Sequence, residues 1–155
     1  MSHSRRKFIK NGALAGTGLY LGATAFSAKS YANIIGSNDR VRVGVIGFSD
    51  RFRQSLFPSF LNHYKELNFD ITGVSDLWNY RRDAGVAHIK EKTGSDVKGF
   101  KNNEALYNSK TADAVIISTA DFQHALHTIE AVNAKCDAYV EKPFAETMED
   151  ARAAL

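Results

Sequence analysis

One lysine of this chain follows an apolar run in a position suited to chemistry. The segment "YVEKPF", residues 139–144, passes from apolar residues to Glu141, Lys142 and Pro143. Since the proline redirects the chain, the Lys142 ammonium is expected at the edge of a cleft, where it could hydrogen-bond a substrate hydroxyl or serve as acid or base. The spacing by itself favours the alternative, a solvated lysine at the end of a strand.

The loop after the first apolar run points to phosphate binding. The segment "VRVGVIGFSDRF", residues 41–52, begins like a dinucleotide-binding loop, in which the pattern G-x-G-x-x-G lets phosphates approach N–H groups at a helix N-terminus. Gly47 holds the first glycine position, whereas Ser49 and Phe52 replace the second and third. We expect the Ser49 hydroxyl to contact a phosphate, and Phe52 to push the helix away from the strand or to delay its start.

Charged residues make this loop ambiguous. Asp50 puts a negative charge where a pyrophosphate would lie, and Arg51 and Arg53 oppose it. Backbone N–H groups of residues 49–51 are expected to replace the lost close contact at glycine. Taken alone, the loop is as compatible with an ordinary strand–helix turn as with a nucleotide site.

Asp76 ends the second apolar run, in "ITGVSD". A carboxylate at that place can accept hydrogen bonds from a ribose hydroxyl, and it favours NAD over NADP because it repels a 2′-phosphate. Arg81 and Arg82 could soften that preference. Asp76 is equally suited to cap a helix that begins at Trp78.

The segment "STADFQH", residues 118–124, follows the fourth apolar run. Ligands of parallel sheets bind beyond the carboxyl ends of the strands, so this segment is expected to point towards a cofactor. Asp121 also has the character of a helix N-cap. Asp121, His124 and His127 have a spacing that a metal could use, but positions on a helix surface or in a cleft explain the histidines better, and no metal site is predicted.

Apolar runs and amphipathic stretches alternate along the chain after residue 40, which predicts βαβ units and a parallel sheet with helices on both faces. The predicted fold class is α/β, a Rossmann-like doubly wound parallel sheet. The predicted strands are 41–46, 69–75, 97–100, 114–118 and 138–141, and the predicted helices are 51–66, 78–92, 103–109, 122–134 and 146–155. Pro58 is expected to kink the first helix or to move its start to near Ser55.

Composition argues against nucleic acid as a partner. The formal net charge is +3, yet residues 1–32 hold five basic residues and no acidic one. Removing those five from the 20 basic residues leaves 15 against 17 acidic residues, so the remainder carries −2 and has no electrostatic footprint for nucleic acid. The single cysteine, Cys136, allows no intramolecular disulfide and is expected to be a small apolar residue near a buried strand.

The N-terminal residues 1–32 are predicted to be a secretory signal. A basic start, a mild apolar stretch over residues 11–28 and a small-residue end follow one another in order. "SRRKFIK", residues 4–10, resembles the twin-arginine export motif, and cleavage is expected after Ala32 or, less favourably, after Ala25. The predicted partner is the twin-arginine export machinery and the predicted location the periplasm, or a membrane anchor if the segment is not cleaved. The alternative is a basic tail ahead of a surface helix.

Four segments together resemble the N-terminal half of Gfo/Idh/MocA oxidoreductases over about residues 40–155. They are "VRVGVIG", "GVSD", "DAVIISTADFQH" and "AYVEKPFAETMEDA". The resemblance implies an NAD(P)-binding Rossmann domain at residues 33–155, incomplete at its C-terminal end, and a C-terminal α/β substrate domain that is absent from this chain. It implies NAD as cofactor, with NADP as the alternative, and a small carbohydrate-like substrate, such as a sugar, cyclitol or related polyol.

The same resemblance implies a homo-oligomer for the full-length protein and assigns roles to single residues. Lys142 would contact the reacting hydroxyl and is the catalytic candidate. The predicted cofactor-binding residues are Gly47, Ser49, Asp50, Arg51, Asp76, Thr119, Asp121, His124, Glu141 and Pro143.

Departures from the family pattern leave other functions open. The departing positions are Ser49, Phe52, Ala120, Phe122 and Gln123. The alternatives are a degenerate Rossmann-like binding module without cofactor, an inactive fragment of an enzyme, and an NAD-dependent glycosidase that uses transient oxidation. We expect the chain to represent an NAD(P)-dependent oxidoreductase and to be inactive by itself.

Overall fold

The computed structural model describes residues 40–155, and the predicted signal segment lies outside the described residues. Within that range five parallel strands form one sheet. The strands are β1 (Val41–Ile46), β2 (Phe69–Ser75), β3 (Lys98–Phe100), β4 (Ala114–Ile117) and β5 (Asp137–Val140). The helices are α1 (Phe57–His63), α2 (Asn79–Thr93), α3 (Asn103–Asn108), α4 (His124–Asn133) and α5 (Met148–Ala153), with a π-helical turn (Phe52–Leu56) before α1 and a 3₁₀ turn (Asp121–Gln123) before α4.

The strands lie across the sheet in the order β3-β2-β1-β4-β5. The direction in which the chain adds strands reverses between β1 and β4, and such a switch point is where open α/β sheets bind ligands. Ile46 pairs with Ser75 on one side and with Ile117 on the other. Ile117 in turn pairs with Val140, so the loops after four strands open at one edge of the sheet. The predicted α/β fold with a doubly wound parallel sheet is confirmed.

Hydrophobic side chains cover both faces of the sheet, as a parallel sheet flanked by helices requires. One cluster joins β1 and β2 to α1 and α2, and the other joins β1 and β4 to α3 and α4. Val45 faces the first cluster and Ile46 the second, because successive side chains of a strand point to opposite faces. Cys136 is buried in the second cluster, as predicted. No helix within residues 40–155 has the length and apolar character needed to cross a bilayer.

Two local predictions near the sheet edge are wrong. β5 ends at Val140, so Glu141 lies beyond the strand rather than in it. Asp121 is not a helix N-cap, because it opens a 3₁₀ turn in which its own carbonyl accepts the His124 N–H and its side chain makes no capping bond. Gln123, the last residue of that turn, precedes α4.

The first helix is not delayed by its bulky residue at the third glycine position. Helical backbone begins at Asp50, directly after Ser49, and continues through the π turn to the end of α1, so residues 50–63 form the first helix. The Phe52 side chain is fully buried, with its ring centroid 5.8 Å from that of Phe48 and 5.7 Å from that of Phe57. The phenylalanine therefore packs into the interface between helix and sheet, where the first hydrophobic cluster surrounds it.

Pro58 is accommodated by a change of helix type. The π-helical turn at Phe52–Leu56 precedes it, closed by a bond from the Phe57 N–H to the Phe52 carbonyl. Pro58 then follows as the second residue of α1, so the wider π turn lies directly before the proline and its neighbour Phe57. The alternative start near Ser55 is wrong, because helical backbone is continuous through the π turn.

Burial of Phe52 predicts a large loss of stability on truncation. Phe52→Ala is expected to lower the free energy of unfolding by about 3–5 kcal/mol, because it removes a buried ring and leaves a cavity. Phe122→Ala is the matched control, since that ring is 66% exposed, and its effect should stay within about 0.5 kcal/mol. Urea unfolding followed by circular dichroism measures both, and equal losses in the two variants would contradict the packing described.

Candidate functional site

A main cleft of about 660 Å³ opens where β1, β2 and β4 end. A side cavity of about 270 Å³ adjoins it, between the first helix and the end of β5, and the two share Ser49, Ser118 and Thr119. Of the predicted site residues, the main cleft is lined by Gly47, Ser49, Asp76 and Thr119, and the side cavity by Ser49, Arg51, Thr119, Asp121, His124, Glu141 and Lys142. Asp50 and Pro143 line neither.

Gly47 makes the turn after β1 with a left-handed backbone, φ 82°. A Cβ atom at this position would lie 2.7 Å from the Thr119 Cγ2 atom, so no other residue fits without displacing the β4 loop. The Gly47 N–H donates to the Ser75 carbonyl at 2.9 Å, and the Ser118 hydroxyl donates to the Gly47 carbonyl at 2.7 Å. The turn is thereby tied to the ends of β2 and β4.

Ser49 caps the first helix. Its hydroxyl oxygen accepts the Phe52 N–H at 3.1 Å, and its carbonyl accepts the Arg53 N–H at 3.0 Å. The first N–H groups of a helix have no acceptor within the helix, so those of Ser49, Asp50 and Arg51 are left for an outside acceptor such as a phosphate. The hydroxyl keeps its own hydrogen for donation. A glycine at the second position would let the backbone approach a phosphate closely. Ser49 instead supplies an oxygen that caps the helix and a hydroxyl hydrogen that can be donated to a phosphate.

Asp50 is countered by arginines, but not by the pair expected from the sequence. Its carboxylate is exposed and pairs with Arg53 at 3.2 Å and with Arg81 at 3.9 Å. Arg81 also donates to the Phe48 carbonyl at 3.0 Å, which joins α2 to the loop after β1. Arg51 does not oppose Asp50, because its guanidinium is paired elsewhere.

Arg51 pairs with Glu141, 90 residues further along the chain. The Arg51 Nε atom lies 3.1 Å from Oε2 and an Nη atom lies 3.4 Å from Oε1, so two parallel contacts join the two groups. The Glu141 side chain is only 7% exposed. Lys142 follows at the rim of the side cavity with an exposed side chain, and the peptide bond from Lys142 to Pro143 is cis.

Asp76 holds two backbone N–H groups with its two carboxylate oxygens. Oδ2 accepts the Phe48 N–H at 3.0 Å and Oδ1 accepts the Trp78 N–H at 2.9 Å. Asp76 therefore bonds to Trp78, the residue that precedes α2. Trp78, and not Asp76, is the N-cap of that helix, and its own side chain makes no capping bond. Each carboxylate oxygen can accept more than one hydrogen bond, so Asp76 retains capacity for a ribose hydroxyl.

His124 is a buried link between two loops, 1% exposed, and not a residue of the helix surface. Its Nδ1 atom lies 2.7 Å from the Pro143 carbonyl oxygen and its Nε2 atom 3.2 Å from the Thr119 carbonyl oxygen. Asp121 lies exposed at the side cavity. Within residues 40–155, no group of three His, Cys, Asp or Glu side chains is placed to hold a metal ion.

Several polar residues of the main cleft were missed by reasoning from the sequence. The Ser75 hydroxyl donates to Asn103 Oδ1 at 2.7 Å, and Asn103 Nδ2 donates to Glu130 Oε2 at 2.8 Å. Ser75 ends β2, so the argument from strand ends that found Asp76 would have found it too, whereas Ser118 already lay in the predicted segment 118–124. Asn103 and Glu130 carried no such signal, because their side chains meet only in the folded chain, where α3 and α4 contribute to the same hydrophobic cluster.

His127 is a second buried histidine of the main cleft, 8% exposed. Its Nδ1 atom lies 3.0 Å from the Thr119 hydroxyl oxygen. Burial lowers the pKa of the His127 imidazole below its ordinary value of 6.5, the Glu130 carboxylate works in the opposite direction, and His124 adds to the lowering. The ring is therefore neutral at neutral pH and presents no charge to a ligand in the cleft.

Comparison with known proteins identifies the family and the fold of this chain. A family model described as an oxidoreductase family with an NAD-binding Rossmann fold, Gfo/Idh/MocA, matches residues 41–155. An inositol 2-dehydrogenase from Rubrobacter xylanophilus is 30% identical over 122 residues, which are 76% of this chain and 31% of that protein.

Two solved structures share the fold. The WlbA dehydrogenase from Bordetella pertussis, in complex with NADH and UDP-GlcNAcA, superposes with a TM-score of 0.65 at 20% identity over 74% of this chain and 33% of that one. The 3-ketoreductase KijD10 from Actinomadura kijaniata, in complex with NADP and TDP-benzene, gives 0.64 at 21% identity over 75% and 33%. The chain therefore spans about a third of the length of these relatives.

The pKa of His127 predicts how stability changes with acid. The pKa is lower in the folded than in the unfolded chain, so as the pH falls below about 6.5 the unfolded chain takes up a proton that the folded chain refuses, and stability is lost. We expect His127→Asn to reduce the loss measured by urea unfolding between about pH 7.5 and 5.5. His63→Asn, at an exposed position, is the control and should keep the wild-type slope. Identical slopes in all three proteins would contradict the prediction.

Proposed function

We propose a function from one premise: the chain belongs to the Gfo/Idh/MocA oxidoreductase family, with an NAD-binding Rossmann fold over residues 41–155. The proposed function is to hold NAD(P) for an oxidoreductase that acts on a sugar, cyclitol or related polyol. The observation that carries it is the helix N-terminus at Ser49, with N–H groups left for an outside acceptor, beside the Asp76 carboxylate at the switch point of the sheet.

The residues of the main cleft fit a dinucleotide in three respects. Gly47 makes the tight turn against Thr119 that a Cβ atom would prevent, as the first glycine of a dinucleotide-binding loop does. The N–H groups of residues 49–51 and the Ser49 hydroxyl would donate to the phosphate oxygens. Asp76 would accept from the adenosine ribose, and its charge makes NAD the favoured cofactor, while Arg81 in the same cleft supports tolerance of NADP.

We assign the hydride transfer to the side cavity. A nicotinamide bound there would accept hydride from a carbon that bears a hydroxyl, or return it. Lys142, exposed at the rim, would hydrogen-bond the substrate hydroxyl and hold or release its proton at Nζ. The carbohydrate substrate is supported by the relatives, which include an inositol 2-dehydrogenase and a dehydrogenase bound to UDP-GlcNAcA.

Most of the substrate site is assigned to a second domain. The chain spans about a third of its relatives, and the side cavity has a volume of about 270 Å³. We expect a second α/β domain to supply the groups that face Lys142. Export by the twin-arginine route to the periplasm is part of the proposal, supported by the motif "SRRKFIK" and the small-residue end of residues 1–32.

Binding of reduced cofactor tests the proposal directly. Trp78 is the only tryptophan and lies two residues beyond Asp76, so energy transfer from it to bound NADH reports on the cleft. We expect wild-type protein to bind NADH with a Kd below about 1 mM. Gly47→Ala should abolish binding, because the added Cβ would meet the Thr119 side chain.

Gly94→Ala is the matched control for backbone strain. Gly94 has φ 75°, close to that of Gly47, but nothing lies within 4 Å of an added Cβ. This variant should lose about 1 kcal/mol of stability and keep the wild-type Kd. No binding by wild-type protein at millimolar NADH would overturn the proposed function and favour a degenerate binding module.

A further inference from the structure

We propose that Glu141 is a positioning residue and not a contact of the cofactor: its ion pair with Arg51 fixes Lys142 relative to the helix N-terminus that holds the pyrophosphate. This inference rests on the proposed function. It gives Arg51 the same role, in place of a direct contact with phosphate.

Breaking the Arg51–Glu141 ion pair is costly because the Glu141 side chain is buried. Glu141 is 7% exposed and Arg51 is 55% exposed, so the carboxylate is largely removed from water and has the guanidinium as its partner. Both carboxylate oxygens face Arg51, at 3.1 and 3.4 Å from its nitrogen atoms. The Glu141 carboxylate therefore interacts most strongly with Arg51, and the Arg51 guanidinium is not free to approach a phosphate.

Lys142 is held by its neighbours and not by its own side chain. On one side the Glu141 N–H donates to the Ile117 carbonyl at 3.0 Å, which ties the chain to the end of β4. On the other side the Pro143 carbonyl contacts His124 Nδ1 at 2.7 Å. Among residues 40–155, no carboxylate lies within ion-pair distance of the Lys142 ammonium. The position of this ammonium therefore follows the backbone of residues 141–143.

Arg51 lies in the first turn of the first helix, two residues after the Ser49 cap. Its backbone N–H is one of the groups proposed to bind phosphate, while its side chain crosses to Glu141 on the opposite wall of the side cavity. The other charged residues of that turn pair differently, Asp50 with Arg53 and Arg81. The Arg51–Glu141 pair is thus a direct link from the phosphate site to the segment that carries Lys142.

Cofactor affinity distinguishes a positioning role from a direct contact. NADH Kd is measured by Trp78 energy transfer for wild type, Arg51→Met, Glu141→Gln and the double variant. If Glu141 positions Lys142 through Arg51, both single variants should weaken binding by about tenfold, and the double variant should be no weaker than the worse single variant. If Glu141 contacts the cofactor, Glu141→Gln should weaken binding while Arg51→Met leaves it unchanged, and this result would overturn the inference.

Reactivity of Lys142 gives a second readout that needs no substrate. Acylation by an amine-reactive reagent is followed by mass spectrometry with and without saturating NADH, and Lys90, an exposed lysine of α2, serves as internal reference. We expect NADH to slow labelling of Lys142 several-fold in wild type, and this protection to vanish in Arg51→Met and Glu141→Gln. Unchanged protection in both variants would overturn the inference.

Two controls separate this result from simple loss of structure. Lys92→Met breaks the exposed pair with Glu91 in the last turn of α2, outside both cavities, and should keep wild-type affinity and protection. Arg51→Lys retains the positive charge and should recover most of both. Glu141→Gln leaves no unpaired buried carboxylate, so it remains informative if Arg51→Met fails to fold. A wild-type protein that binds no NADH would refute the proposed function itself, which is a different outcome from binding without loss in the variants.

Discussion

The position of the first helix depends on Gly47 having no Cβ atom. At Gly47 the backbone of the turn after β1 passes so close to Thr119 that a side chain would lie 2.7 Å from its Cγ2 atom. Because the turn is this tight, only residues 47–49 separate the end of β1 from the first helix, and its N-terminus opens onto the edge where β1 and β4 end. The proposed phosphate site, the main cleft and the side cavity all depend on that placement.

Loss of two glycines from the loop is compensated by packing and by hydrogen bonds. Phe52 fills the hydrophobic cluster between helix and sheet, and Phe48 packs against α2 at Gly85, where an added Cβ would lie 2.8 Å from the ring. Ser49 caps the helix, and Asp76 holds the Phe48 N–H. The loop is therefore preorganised by side chains in place of small residues, which is consistent with a phosphate site that uses backbone donors and one hydroxyl.

Sequence reasoning reached the fold and the edge of the site because both follow from local patterns. Continuous apolar runs identified the strands, and the rule that ligands bind beyond strand ends identified Asp76 and the segment that contains Lys142. Side-chain pairs between residues far apart in the sequence could not be predicted. Arg51 and Glu141 are 90 residues apart, and nothing in either neighbourhood signals the other. The burial of Phe52 likewise depends on which residues surround it in the folded chain.

Backbone donors of residues 49–51 are proposed to hold the dinucleotide while the Arg51 side chain stays paired with Glu141. A crystal structure of the protein with NADH bound tests it most directly. We expect pyrophosphate oxygens within hydrogen-bond distance of those N–H groups, the adenosine ribose at Asp76, and the Arg51–Glu141 pair intact. Phosphates bound away from this N-terminus, or an Arg51 side chain that leaves Glu141 to bind them, would contradict it.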